Sequence, residues 1–584
     1  MLRREFRISL IAGALSFFSL LTSTFAFGYS GTSYTASSTA YVINTFTGNE
    51  SWTVPYGVTS IDAIAVGGGG GGGTDGGDGG GGGELRVLTS QSVSVGNVLA
   101  TTIGGGGAGA VWSSTGSSAG GITYLKKDGV TLLQANGGAG GAGWTTAQNR
   151  AAGGTGGSGG TGYNGGAGGM NRYQQNEGIG GVGGDGPTTT ITTGSAVNYG
   201  GGGGGGSCWA AKTSGTYVGA AGGAGGGGAG AGHTVNVGSP AGFSGSANTG
   251  GGGGGGSACD GGNTNTVDQR TSGGAGASGV VVVRYILTAP NTLDLTTASD
   301  SGVSATDNIT NVTTPTFTGI AVGGTSIQLY VNGSASGSPC TANTTTGIWS
   351  CTTATLNDGV KSIVARSTIS GISVDSSSFA ITIDATGPTL SPSAAISKAE
   401  NITSIATITC SETCTLAMTG GVDSASVTFT AASGVLVFKT APDYEAPTDV
   451  GANQTYAITI SATDNSGNTT VVNYVVTITN ANETWTIGAP TLSGSVYKGV
   501  TTSLRVSINA PGKVLFRMDG KRIPNCLAVP TTGSYPNYLA TCNWKPAGNN
   551  YHVLDAVMTT SDSTFSGPSS PKLTAFILRR TNTR

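Results

Sequence analysis

Charge is scarce in this chain. Its 584 residues carry 26 Lys and Arg against 28 Asp and Glu, for a formal net charge of −2. No basic field exists to hold a phosphate backbone, so nucleic acid is excluded as a partner. Histidine is scarcer still. His233 and His552 lie far apart in the sequence, which excludes a His-rich metal centre. There is no His-Glu-x-x-His, and no glycine run ends in Gly-Lys-Ser/Thr, so zinc-protease and P-loop chemistry are absent. Matches to Gly-x-Gly-x-x-Gly abound but are background in so glycine-rich a chain, and none opens a strand–helix unit. Glu50 with Asp62 is the carboxylate pairing to weigh as a glycosidase-like site. It stands in no recognisable frame, and the expectation is a protein that is not an enzyme.

Long apolar runs are also lacking, apart from one short run at the start. Met1-Leu2-Arg3-Arg4-Glu5-Phe6-Arg7 precedes an apolar stretch from Ile8 to Phe18, and small residues follow around Thr24-Phe25-Ala26. A basic start, a short apolar run and a small residue before the cut describe a secretory signal peptide over residues 1–26. A membrane anchor is the alternative, but the run is short for a span and serines interrupt it. The mature chain is expected outside the cell, secreted or held at the cell surface and membrane-associated at most, with no transmembrane segment.

Eight cysteines are present, all beyond the leader. An even number in an exported chain favours disulfides. Cys340 lies near Cys351, Cys410 near Cys414 and Cys526 near Cys542, so local pairing is the simplest connectivity. Cys208 and Cys259 remain, as a further pair or as free thiols. Zinc at Cys410 and Cys414 would need two more ligands, and none is near in sequence.

Glycine is what the chain has in excess. Of 108 glycines, 80 fall within residues 67–290, and three runs reach seven: Gly67–Gly73, Gly200–Gly206 and Gly250–Gly256. A flexible linker is one reading, since glycine loses the most backbone entropy on ordering. Strand-like sequence argues against it. Trp52 to Val66 opens the region, Gly279 to Ile286 closes it, and Ile122–Leu133 carries an Asp128-Gly129 hairpin signal. The first and last strands are expected to pair and close a sandwich. The tracts between are expected as a bundle of polyglycine helices, cross-bonded through backbone groups, with Cys208 and Cys259 stapling two of them. The run Val54-Pro55-Tyr56-Gly57-Val58-Thr59-Ser60-Ile61 leading into Val66-Gly67-Gly68-Gly69-Gly70, with the close Gly273 to Tyr285, resembles glycine-rich modules of bacterial surface and phage tail proteins. The resemblance covers about residues 40–287 and implies a β-sandwich carrying a glycine-helix lattice, with receptor recognition among the functions known for such modules.

From about residue 291 glycine falls, and Thr, Ser and Val build short alternating strands with no long helical pattern, as in β-sandwiches. Residues 291–386 resemble the bacterial immunoglobulin-like repeats of large adhesins, on Ser299 to Asn308, Thr314-Pro315-Thr316-Phe317-Thr318-Gly319, Gly347-Ile348-Trp349-Ser350 and Leu356-Asn357-Asp358-Gly359. Trp349 reads as core. Residues 387–483 resemble bacterial cadherin-like repeats, on Gly434 to Asp449, Asn453-Gln454-Thr455-Tyr456 and Ala462 to Asn468. Residues 484–584 form a last β-sandwich, and Pro511–Cys526 with Ala540 to Pro546 resembles C-terminal modules of secreted actinobacterial proteins. The fold class expected is thus all-β and multidomain: residues 27–290 a glycine-rich β-sandwich module with polyglycine helices, then immunoglobulin- and cadherin-like sandwiches.

The cadherin-like resemblance implies Ca²⁺, with Glu400, Asp443 and Glu445 as junction ligands and Asp464 as a ligand facing the opposite end. Ca²⁺ takes six to eight oxygens, so carboxylates are the right donors. The downstream linker Thr479-Asn480-Ala481-Asn482-Glu483 is less acidic than the family's, and Cys410-Ser411-Glu412 stands where an aspartate pair is usual. Solvated surface carboxylates are the alternative. Together these readings describe an adhesin-like binding protein, calcium-stabilised, whose partner is a surface glycan, a protein ligand or another copy of itself. A structural surface or matrix protein with the modules as spacers is the runner-up.

Overall fold

A computed structural model describes residues 23–24, 30–36, 39–74, 76–111, 116–143, 180–207, 216–234, 240–257, 271–481, 486–534, 537–559, 570 and 572–579. The chain divides into two compact units, one of residues 1–301 and 305–384 and the other of 302–304 and 385–584.

The first unit begins with a six-stranded sheet. Its central strand, Val280–Ile286, pairs antiparallel with Thr39–Phe46 on one side and Ser60–Val66 on the other. The start and end of the glycine-rich region are therefore joined, as their sequences suggest. A four-stranded sheet of Ser51–Thr53, Val98–Thr102, Thr123–Lys127 and Val130–Ala135 supplies the second layer. Phe46, Ile61, Val281 and Val283 from the first sheet pack on Trp52, Leu99, Leu125 and Leu133 from the second. The unbroken run Val280–Val283 has a clear cause. Val281 and Val283 face this core, while Val280 and Val282 face a second cluster with Tyr34, Ile43, Ile64 and Ile191. A strand buried on both faces has no need to alternate.

The glycine tracts run between these strands. The N–H groups of Gly67–Gly73 leave the tract without exception. Gly67, Gly70 and Gly73 donate to Glu84, Gly81 and Asp78, Gly68 and Gly71 to Gly121 and Ser118, and Gly69 and Gly72 to Ala277 and Gly274. The carbonyls of Gly68 and Gly71 accept from Gly138 and Gly141, those of Gly69 and Gly72 from Gly107 and Ala110, and those of Gly70 and Gly73 from Gly253 and Gly256. Each tract residue thus serves a different neighbour, and every third residue returns to the same one. The cross-bonding expected of the tracts is present, but the polyglycine helices are not. Among the described residues of this region there is no helical element, and the one helical turn in the described chain is Ser424–Ser426. The hydrogen bonds of Gly67–Gly73 named above all run sideways to neighbouring segments, and this cross-bonding is the part of the expectation that holds. Glycine is obligatory because a Cβ on Gly70 would lie 2.0 Å from the Ala139 carbonyl oxygen, and one on Gly71 2.0 Å from that of Ala108.

The immunoglobulin-like module continues the same unit. A three-stranded sheet of Asn291–Leu295, Thr316–Ile320 and Ile348–Thr352 faces a larger one built on Ser326–Val331, Ser334–Thr341, Gly359–Ile369 and Phe379–Ile383. Phe317, Trp349, Ile327, Leu329, Ile363 and Ile381 fill the space between, and Trp349 is core as expected. This module is not separate from the one before it. Its Val322 and Ile372 belong to the core of the glycine-rich module. Backbone bonds cross the boundary, from Tyr56 N to Thr344 O (2.8 Å) and from Gly323 N to Tyr56 O (2.9 Å), and the Ser33 hydroxyl donates to Ser370 O at 2.7 Å.

In the second unit, residues 395–479 carry a four-stranded sheet in the order Ala395–Ala399, Thr469–Thr479, Thr455–Asp464, Cys414–Gly420, and a three-stranded sheet of Ser404–Thr407, Val435–Phe438 and Val427–Thr430. Tyr474, Ile458, Ile460, Leu436 and Phe438 form the core there. In the last module, strands Thr502–Ile508, Asn537–Trp544, Lys513–Met518, Asn550–Thr559 and Leu573–Leu578 enclose Phe516, Leu504, Val514 and Leu554. No described helix is long and apolar enough to cross a membrane.

Candidate metal centre

Glu400 directly follows the strand Ala395–Ala399, which runs parallel to Val475–Thr479. That pairing carries Glu400 to the point where the chain leaves the module, and its N–H donates to Thr479 O at 3.1 Å. The side chain is 2% exposed. One carboxylate oxygen accepts from Tyr444 N at 2.8 Å and the other from Ala481 N at 2.9 Å. The loop after Val435–Phe438 brings Asp443 and Glu445. Asp443 Oδ1 accepts from Glu445 N and Ala446 N, at 2.9 and 3.1 Å. This turn points its neighbours toward Glu400, and ligand oxygens of Glu400, Asp443 and Glu445 all lie within 4.8 Å of one another.

A residue that sequence reasoning did not select touches this group. Asn480 donates its Nδ2 to Glu445 Oε1 at 2.7 Å. That bond fixes the amide, and its Oδ1 is buried with no hydrogen-bond partner among the described residues. A buried amide oxygen left unmatched is costly. The donor set is three carboxylates, hard ligands of the kind Ca²⁺ takes. Carboxylate oxygens that already accept one N–H keep a lone pair for a cation. The only hint of Asn480 in the sequence is its place just after the strand that pairs with Ala395–Ala399.

Asp464 is not part of this group. Its carboxylate closes its own turn, accepting from Asn468 N and from Asn468 Nδ2, each at 2.9 Å. Glu50 and Asp62 also serve separate partners. Asp62 pairs with Arg284 at 2.8 Å, whereas Glu50 sits by Thr101, with N–H to Oγ1 at 3.1 Å, and burial raises its carboxyl pKa. His552 pairs with Asp519 at 2.6 Å.

Three disulfides join the cysteines as local pairing suggests: Cys340–Cys351, Cys410–Cys414 and Cys526–Cys542. This removes Cys410 and Cys414 as zinc ligands. Cys208 and Cys259 lie outside the described residues.

Comparison with known proteins agrees with two of the modules. A glycine-rich domain family matches residues 44–286, and a bacterial Ig-like domain family matches residues 287–385. These matches are not specific to actinobacteria, and neither reaches the C-terminal residues on which that resemblance rests. The two matched modules are of a non-catalytic kind. Their composition supports an extracellular or surface location. No curated protein matches the chain. Among solved structures, the I-band fragment I67–I69 of titin is similar at 14% identity, over 50% of this chain and 100% of that one, with a TM-score of 0.28. Protocadherin gamma B7 cadherin domains 1–4 overlap at 12% identity, over 50% and 72% of the two chains, with a TM-score of 0.24. Mouse cadherin-23 repeats 22–24 overlap at 12%, over 47% and 93%, with a TM-score of 0.22. Likeness at these scores carries no argument.

Proposed function

We propose that this chain is a secreted or cell-surface, adhesin-like binding protein whose cadherin-like module is braced by Ca²⁺ at Glu400, Asp443 and Glu445, with Asn480 holding Glu445 in place. The observation that carries the reading is the gathering of three carboxylates, one of them almost fully buried, at the exit of the module. Like charges this close repel one another, and a divalent cation relieves the repulsion while tying the strand ends to the outgoing chain. The partner belongs to the class of surface glycans or protein ligands.

Thermal unfolding of the full chain, with and without about 10 mM Ca²⁺, above the usual range for extracellular modules, is the test. A ligand bound to the native state alone adds about 2.7 kcal/mol at a hundredfold excess over its dissociation constant. The transition of the second unit should rise with Ca²⁺, and Asp443→Asn should blunt the rise. An unchanged melt, or an equal response from the variant, removes calcium from the reading.

The spacer reading keeps one observation in its favour. The first two modules share a core across their boundary, which suits a stiff arm as well as it suits a binding head.

A further inference from the structure

Large aromatic side chains left in solvent are few in the described chain: Phe243, Tyr497, Tyr551 and Phe576. Three of the four meet on one face of the last module. Tyr551 and Phe576 are directly opposed across the antiparallel pair Asn550–Thr559 and Leu573–Leu578, with ring centroids 4.6 Å apart. Strand Val496–Tyr497 runs parallel beside them and sets Tyr497 against Leu578, two residues along from Phe576 on the same side. The inward neighbours Val496, Ala575 and Ile577 are buried, which fixes the three rings on the outer face. They are 73%, 49% and 40% exposed for Tyr551, Phe576 and Tyr497.

We infer that Tyr551, Phe576 and Tyr497 form a stacking platform for a neutral saccharide chain. This rests on the adhesin-like reading and names the class of ligand for one of its modules. Size argues against a protein partner. At about 250 Å² per ring, the exposed aromatic area is under about 500 Å², short of the about 800 Å² each side of a standard interface buries. The rings are flanked by uncharged residues, Val553, Thr574 and Leu578, and the next pair along, Arg517 and Asp555, compensates itself at 4.0 Å. The exposed Lys498 and Arg579 stand at the strand ends, and the anionic polymer in the test separates their pull from stacking. Shape argues for a short chain of rings over a single one, because the platform spans three strands, about 10 Å across. Pyranose rings present flat C–H faces to aromatic rings and hydroxyl edges to the two tyrosine O–H groups, which combine an apolar body with a polar tip.

The test uses the full mature chain and two insoluble neutral polysaccharides, microcrystalline cellulose and chitin, with calcium alginate as the anionic contrast. At least one neutral polymer should deplete the protein from solution, and alginate should not. Tyr551→Ala with Phe576→Ala should weaken retention about tenfold, the effect of two lost ring contacts. Phe576→Trp, which keeps a stacking face, should retain binding and guards against a folding artefact. No depletion by either neutral polymer, or equal depletion of the double alanine variant, overturns the inference. So does a dimer in solution that this variant converts to monomer, which would make the face a self-association surface. If depletion fails while the Ca²⁺ response of the melt persists, the platform is lost and the broader reading stands. If both fail, the broader reading falls too.

Discussion

Tyr56 and Gly347 meet so closely that a Cβ on Gly347 would lie 2.2 Å from Tyr56 Cδ1. Gly347 also has φ of +70°, a conformation that costs other residues about 1–2 kcal/mol. The glycine-rich and immunoglobulin-like modules thus join through a contact that only glycine allows. Gly347→Ala should destabilise the first unit by about 2–4 kcal/mol, from strain and overpacking together. Chemical denaturation of the full chain measures it. Hydrogen exchange at the amides of Tyr56 and Gly323 should quicken with it.

The glycine lattice makes a sharper contrast. Gly70→Ala places a Cβ 2.0 Å from a backbone oxygen, while a Cβ on Gly105 meets nothing within 4 Å. Gly70→Ala should cost at least about 2 kcal/mol. Gly105→Ala should be neutral or stabilising by up to about 1 kcal/mol, through the entropy of the unfolded chain. Urea titration of the two variants side by side decides it, and equal costs would mean that the lattice is not closely packed.

Disulfide loss should follow loop length. Cys526–Cys542 spans 16 residues, Cys340–Cys351 spans 11 and Cys410–Cys414 spans 4. Closure entropy ranks them in that order, with about 3 kcal/mol for a loop of about 15 residues. Paired Cys→Ser variants, compared by melting temperature, should reproduce the ranking. Intact mass after non-reducing alkylation should find these six cysteines blocked.

Acid should weaken one ion pair in the immunoglobulin-like module. Arg366 grips Asp375 through two bonds, at 2.6 and 2.8 Å, and stacks over Tyr330 at 4.4 Å. The guanidinium holds the Asp375 carboxyl below its usual pKa. A depressed folded pKa means the contribution is complete above the ordinary aspartate value, about 3.9, and fades as pH falls through the folded value. Asp375→Asn should lower the melting temperature modestly at neutral pH, where the pair is complete, and flatten the profile below pH about 4, where parent and variant converge. A variant profile parallel to the parent would dismiss the pair.

Much of this could be read from residues. Gly279 to Ile286 could be read as the closing strand that pairs with the start of the region, and Trp349 as core. Glu400, Asp443 and Glu445 do converge. Other features leave no local signal. Nothing around Tyr56 names Thr344, 288 positions away, because a backbone bond between modules imposes no residue type on either side. The exposed Tyr551 and Phe576 alternate like any core pair, and only burial tells the outer face from the inner. Asn480 looked like linker because its role depends on a parallel pairing that sequence spacing does not encode. The glycine tracts misled for the opposite reason. Their cross-bonding could be inferred, but with no side chains they offer no periodicity to tell helical from non-helical backbone, and the helices expected there are absent among the described residues.

The rule that every third tract residue returns to the same neighbour has a consequence for how such a chain can change length. Deleting one or two residues from Gly67–Gly73 would hand each later N–H to a different neighbouring segment, and the mismatch would spread to the end of the tract. Removing or adding three would shift the pattern onto itself and leave every remaining bond with its former partner segment. Length variation in these tracts is therefore quantised, and insertions that survive should come in threes.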